Sequence, residues 1–181
     1  PALLRGDAAP ASSPAAQKQR VFSEGAAFLV ADILRDTGRL LPIFREVFRH
    51  EERSIAFKTG TSYGLRDAWA AAYTPSWTAV VWVGDTAAAS HPNLVGLHAA
   101  APAALKIIRH LSQGRGDWFD PPDSVSRGEV CSVSGMPPSP LCPRTKTEWR
   151  ITDVSPKTPC DMHVLRDGAP TVVWPSELED F

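Results

Sequence analysis

Apolar positions recur at helical spacing in two stretches and gather into short runs between them. From Ser23 to Asp36, the residues Ala26, Ala27, Val30, Ile33 and Leu34 repeat at three and four, with Asp32, Arg35 and Asp36 on another face. Ser23 is the expected N-cap with Glu24 in the first turn, and Gly38 the expected left-handed C-terminal cap. Leu97 to Gln113 reads as a second helix ended by Gly114. Ala101, Ala104, Leu105, Ile108 and Leu111 form its buried stripe, and Lys106, Arg109, His110 and Gln113 its wet one. Between the two helices, Ile55–Thr59, Ala68–Tyr73 and Thr78–Val83 are strand candidates, the last two separated by a turn at Pro75. The unbroken apolar run Val80–Val83 predicts a strand covered on both faces. Leu40–Arg53 is mixed, with a short helix expected around Ile43–Phe48.

The two ends differ from this middle. Pro1–Gln19 is rich in Ala, Pro and Ser and reads as a loop. Beyond Gly114 the texture changes. Asp117–Cys160 is proline-rich, holds all three cysteines and has no long periodic pattern, and Glu177, Glu179 and Asp180 make the end acidic. The expected division is 1–114 and a small cysteine-containing tail module, 115–181. No internal repeat is found.

Composition narrows the classes. With 43% hydrophobic residues, six Trp and seven Phe among 181 residues, the chain can bury a core. A net charge of −1 offers no electrostatic case for nucleic acid. Seventeen prolines are nearly twice the usual share of about 5%, which predicts many loops and rigid turns. No apolar run approaches the ~18 residues of a spanning helix, so any membrane anchor is expected elsewhere in a longer parent. The missing initiator Met and signal pattern point the same way.

One tetrapeptide carries chemistry. Lys58-Thr59-Gly60-Thr61 directly follows the apolar Ile55, Ala56 and Phe57. Lys58 at a strand end is a fixed cation, and Thr59 and Thr61 are hydroxyl donors. Gly60 leaves room for a substrate backbone to come close. Such a strand can take an extended peptide along its edge and aim an N–H at the oxyanion of a tetrahedral intermediate. The plainer reading of the tetrapeptide is a strand running into a Thr-Gly turn with Lys58 solvated. Ser62 either adds a donor or stabilises a turn.

The context of the motif favours the first reading. Phe57 to Trp69, with Ser62-Tyr63-Gly64 and Arg66-Asp67-Ala68-Trp69, followed by Thr78-Ala-Val-Val-Trp-Val-Gly84, resembles the third active-site motif of the penicillin-binding transpeptidases and the strands behind it. It is most similar to the 1C type of the class A bifunctional penicillin-binding proteins. The helices Ser23–Asp36 and Leu97–Gln113 resemble the helix before that motif and the closing helix of the same domain. Cys131-Ser-Val-Ser-Gly135, Cys142-Pro143 and Cys160-Asp-Met-His163 resemble the segment that follows. The resemblance runs from about Val21 to Phe181.

The resemblance implies an α+β chain: an incomplete serine β-lactamase or penicillin-binding transpeptidase-like domain, an antiparallel sheet with flanking helices, followed by the tail. It implies a parent that polymerises glycan strands from a lipid-linked precursor and crosslinks D-Ala-D-Ala stem peptides through a serine acyl-enzyme that β-lactam antibiotics also acylate. Lys58, Thr59 and Thr61 would bind the donor's terminal carboxylate, and the Thr61 N–H would be half of the oxyanion hole. No cofactor and no nucleic acid are implied, and the parent would sit on the periplasmic side of the bacterial inner membrane. The family's Ser-x-x-Lys and Ser-x-Asn do not occur in these 181 residues, so this chain alone is expected to be inactive. The β-sandwich that usually closes the 1C type is not visible either. A serine β-lactamase or DD-carboxypeptidase is the alternative enzyme, disfavoured by the long tail. A non-catalytic cell-wall or partner-binding module is the alternative of another class.

The cysteines leave three readings. A single disulfide among Cys131, Cys142 and Cys160 comes first, because the resemblance places the segment outside the cytoplasm. A Cys3His metal set with His163 comes second: Cys160-x-x-His163 is suggestive, but the ten residues between Cys131 and Cys142 match no compact zinc pattern. Free thiols come third. His50-Glu51-Glu52-Arg53 lacks the second His of a zinc protease, His98 and His110 read as helix residues, and the six Trp read mostly as core or packing residues.

Overall fold

The structure, a computed structural model, describes residues 20–36, 54–87, 89–113 and 116–176. The expectations at Pro1–Gln19, Gly38, Ile43–Phe48, His50–Arg53, Gly114 and the acidic end lie outside them. The elements are α1 (Glu24–Arg35), β1 (Ala56–Thr61), β2 (Asp67–Tyr73), β3 (Thr78–Gly84), α2 (Gly96–Ala99), α3 (Ala101–Ser112), β4 (Val125–Cys131), β5 (Thr145–Ile151), β6 (His163–Arg166) and β7 (Ala169–Val172). Among the described residues no helix is long and apolar enough to cross a membrane.

The three central strands form an antiparallel sheet in the order β1-β2-β3. Cross-strand register puts Phe57, Thr59 and Thr61 on one face with Ala68, Ala70 and Ala72 and with Ala79, Val81 and Val83. Alanines fill this face of β2 because α3 lies directly on it. Ala101, Ala104, Leu105 and Ile108 of α3 close the core around Phe57 and the three alanines. This stripe is the expected one, with Leu111 only half-buried at its end.

Four expectations are corrected. The helix expected from Leu97 to Gln113 is broken at Ala100 into the single turn α2 and the longer α3. Pro102 in the first turn of α3 lacks the N–H that a continuous helix would need there. Val80 and Trp82 are 59% and 41% exposed, so β3 is covered on one face only. Its apolar outward residues imitate a sandwiched strand in sequence. On α1, Gly25, Phe28 and Ala31 are buried, whereas Val30 and Ile33 of the expected stripe are exposed. That helix is apolar on more than one face, so spacing alone does not choose the buried one. Of the six Trp, Trp69, Trp77, Trp82 and Trp174 are exposed, and Trp69 lies beside Trp82 across the strand pair with ring centroids 6.4 Å apart.

The residues beyond 116, which show no period in sequence, form two hairpins, β4-β5 and β6-β7. The first docks on α1. A methyl on Gly25 would sit 3.1 Å from Val125 and 3.2 Å from Ile151, so the helix approaches this hairpin at a glycine. Phe28 meets Trp149 edge-on at 5.1 Å, with Arg127 stacked 4.0 Å over the same indole. Ser23 caps α1 as expected, its Oγ accepting the Ala26 N–H at 3.1 Å.

Candidate functional site

Among the described residues β1 is an edge strand, and its pairing decides what the edge offers. The Ser62 N–H donates to Asp67 O at 2.9 Å, continuing the β1–β2 register. Antiparallel pairing alternates, so Lys58, Gly60 and Ser62 turn their backbone groups toward β2. Thr59 and Thr61 turn theirs toward the free edge. Their side chains lie on the helix-covered face, and that of Lys58 on the other. Lys58 is exposed, and its Nζ donates to the carbonyl of Thr59. One strand margin therefore carries a cation on one face, two hydroxyls on the other and an outward N–H between them.

Two neighbours fix this margin. Gly96, the first residue of α2, donates its N–H to Thr61 Oγ1 at 2.9 Å. That bond occupies a lone pair of the hydroxyl and leaves its own hydrogen to donate outward. Gly96 can do this because it has no side chain: a Cβ would collide with Gly60 O and lie 2.6 Å from Trp69 O. The sequence reading missed Gly96, because a helix glycine demanded by the backbone of distant strands leaves no local signal. Ser62 takes the turn role: its Oγ accepts the N–H groups of Asp67 at 2.8 Å and Arg66 at 3.2 Å, bracing the loop in which Gly64 and Leu65 have positive φ. At Gly60 the nearest atom to an added Cβ is Trp69 Cβ at 3.6 Å, so that position is open to an approaching chain. An apolar groove of about 450 Å³ between α1 and the segment 119–122, lined by Phe28, Tyr73 and Phe119 among others, lies at the other end of β2 from the partner of Thr61. Burial there raises the Tyr73 hydroxyl pKa.

The cysteines and His163 form a second constellation. Cys131 ends β4, Cys142 lies in the β4–β5 loop, Cys160 precedes β6, and His163 opens it. Their Sγ atoms lie 3.6, 3.5 and 3.4 Å from His163 Nδ1, and all four atoms fall within 4.8 Å of one another. The ten-residue separation of Cys131 and Cys142 does not keep them apart. The chain reverses at Cys131, with Gly135 N–H on Cys131 O and Cys131 N–H on Met136 O, and again at Ser139–Cys142. The Cys160 N–H then ties to Pro137 O at 2.8 Å. All three thiols are free. Burial pushes the Cys160 thiol up, but hydrogen bonds from the Ser134 hydroxyl, the Met162 and His163 N–H groups and Cys131 outweigh it and hold the thiol at about 7. Cys131 is lowered in the same way, burial being overcome by the Ser134 and Val133 N–H groups and by side-chain bonds. Cys142 is raised, chiefly by burial.

Comparison with known proteins agrees with the resemblance. Residues 121–165, which include all four members of this cluster, match the family described as penicillin-binding protein 1A, C-terminal domain. The chain is 30% identical over 151 residues to penicillin-binding protein 1A of Clostridium tetani, covering 80% of this chain and 19% of that protein. It is 30% identical over 143 residues to penicillin-binding protein 1C of Escherichia coli, covering 76% of this chain and 18% of that protein. In fold it is similar to the crystal structure of penicillin-binding protein 1A from Haemophilus influenzae, with a TM-score of 0.60 at 20% identity over 77% of this chain and 22% of that one. The chain thus spans about a fifth of the length of the relatives it matches.

Proposed function

The chain belongs to the class A penicillin-binding proteins, and from that premise we propose that it supplies the carboxylate-gripping strand of a peptidoglycan DD-transpeptidase. The observation that carries the reading is the unpaired edge of β1 among the described residues, a strand margin that bears Lys58, Thr59 and Thr61. A D-Ala-D-Ala stem, or a β-lactam in its place, lies extended along this edge. Its free carboxylate takes the Lys58 ammonium and the hydroxyls of Thr59 and Thr61 as donors. The Thr61 N–H then stands where the scissile carbonyl oxygen gains charge, as one of the two oxyanion donors. Gly60, open on its exposed side, lets the substrate backbone approach the strand.

The serine that attacks the carbonyl, with its Ser-x-x-Lys and Ser-x-Asn, comes from residues of the parent outside this chain. The parent would also polymerise glycan from the lipid-linked precursor, and would work on the outer side of the bacterial inner membrane. Residues 1–114 then form the end of the transpeptidase domain and 115–181 a tail that braces α1.

The test is covalent labelling of the parent protein by a fluorescent penicillin. Losing a charged hydrogen bond to a carboxylate costs about 1.5–3 kcal/mol, so Lys58→Ala should slow acylation roughly 10- to 100-fold. The 181-residue chain alone should stay unlabelled. A Lys58→Ala parent that labels at the unaltered rate would overturn the reading.

A further inference from the structure

The cysteine cluster has a geometry that three free thiols do not need. His163 is only 4% exposed, and its Nδ1 faces three sulfurs at 3.4–3.6 Å. A ring nitrogen makes one hydrogen bond, as donor or as acceptor, so at most one of those contacts is satisfied by a proton. A tetrahedral zinc ion, with Zn–S of about 2.3 Å and Zn–N of about 2.05 Å, sets sulfur–nitrogen edges of about 3.5 Å and sulfur–sulfur edges of about 3.8 Å. The three observed sulfur–nitrogen distances straddle that edge, and every ligand-atom pair lies within 4.8 Å.

We propose that Cys131, Cys142, Cys160 and His163 Nδ1 bind one Zn2+ as a closed Cys3His structural site. The ion displaces the three thiol protons to solvent and binds the neutral imidazole of His163 through Nδ1, leaving a site of net charge −1. The Ser139 N–H already donates to Cys142 Sγ at 3.3 Å and would support the thiolate charge there. Cys131 and Cys160 are buried and all four positions are filled by protein, which fits a structural role and leaves no open coordination position for catalysis. The ion joins the end of β4, the β4–β5 loop and the start of β6, so it fastens the two hairpins to each other. The competing state is a disulfide between two of the three cysteines, which would leave the third thiol and His163 without a shared purpose.

The experiment uses the full chain, made without a histidine tag and kept under mild reductant. Elemental analysis should find one zinc per chain, and a thiol reagent should reach three thiols only after a strong chelator is added. Replacement by Co2+ should give the intense visible bands of tetrahedral coordination with sulfur-to-metal charge transfer. His163→Ala should weaken metal binding by more than the roughly 10- to 100-fold lost when an outer-shell partner is removed. A disulfide is indifferent to that substitution, and the wild-type cobalt spectrum decides the matter should the variant fail to fold. A metal-free chain with one titratable thiol, or with three that react freely before chelation, overturns the proposal. Metal content is read without any acylation, so this result stands apart from the transpeptidase reading.

Discussion

Replacing Gly96 by alanine tests how the β1 edge is held. The added methyl would run into Gly60 O and come within 2.6 Å of Trp69 O and 3.0 Å of Gly60 C. All three are backbone atoms of paired strands, so neither side can yield by turning a side chain. α2 must lift from the sheet, and the 2.9 Å bond from Gly96 N–H to Thr61 Oγ1 goes with it. Overpacking costs about 1–3 kcal/mol and the lost hydrogen bond about 1 kcal/mol, together roughly 2–4 kcal/mol. For a chain of this size each kcal/mol moves the melting temperature by about 2–4 °C, so Gly96→Ala should lower it by roughly 5–15 °C. Thermal unfolding followed by circular dichroism measures this. Gly60→Ala is the paired control, because its nearest neighbour, Trp69 Cβ, stands at an ordinary 3.6 Å. It should stay near wild-type stability while putting a methyl in the path proposed for the stem peptide, so that penicillin labelling of the parent falls. A Gly96→Ala protein melting within a degree of wild type would refute the claim that this glycine sets the distance between α2 and the sheet.

The other expectations are shorter. Leu105→Ala empties a fully buried position between α3 and the alanine face of the sheet and should cost about 2–5 kcal/mol in denaturant unfolding. Ser23→Ala removes the N-cap bond to Ala26 and should cost about 0.5–2 kcal/mol, read in the same assay. Ser134→Ala should weaken zinc about 10- to 100-fold in a competition titration, because Ser134 hydrogen-bonds the Cys131 and Cys160 sulfurs. A Ser134→Ala affinity equal to wild type would show that the hydroxyl does not support the ligands.

What sequence could show depended on how local each cause was. The strand that carries Lys58-Thr59-Gly60-Thr61 was readable because an apolar run leads straight into it. The buried stripe of α3 was readable because one face is apolar and the other charged. On α1 the pattern failed, because Val30 and Ile33 are as apolar as Phe28 and only Gly25, set against Val125 and Ile151, marks the docked side. On β3 it failed because Val80 and Trp82 face outward. The Trp69–Trp82 pairing, the Gly96 contact and the meeting of Cys131 with Cys142 all arise from register or chain reversal, which spacing along the chain does not encode.

The two constellations impose opposite demands on their surroundings, and the fold meets them separately. On the proposed reading the β1 edge must stay open, since an extended substrate would need the outward groups of Thr59 and Thr61, and an open edge gains no stability from a further strand. Its rigidity comes from behind: α3 on the Phe57 face, and α2 gripping Thr61 through Gly96. α1 contacts β1 and is in turn backed by the β4–β5 hairpin through Phe28 and Trp149. That hairpin is a two-stranded ribbon, a form with little stability of its own in water. Its companion β6-β7 has four residues per strand and is weaker still. Two such ribbons cannot brace a helix unless something ties them together, and the point where both meet is the cluster of Cys131, Cys142, Cys160 and His163. A closed metal centre there supplies the cross-link that the apolar burial of so small a unit does not, and it does so away from the edge that has to remain accessible.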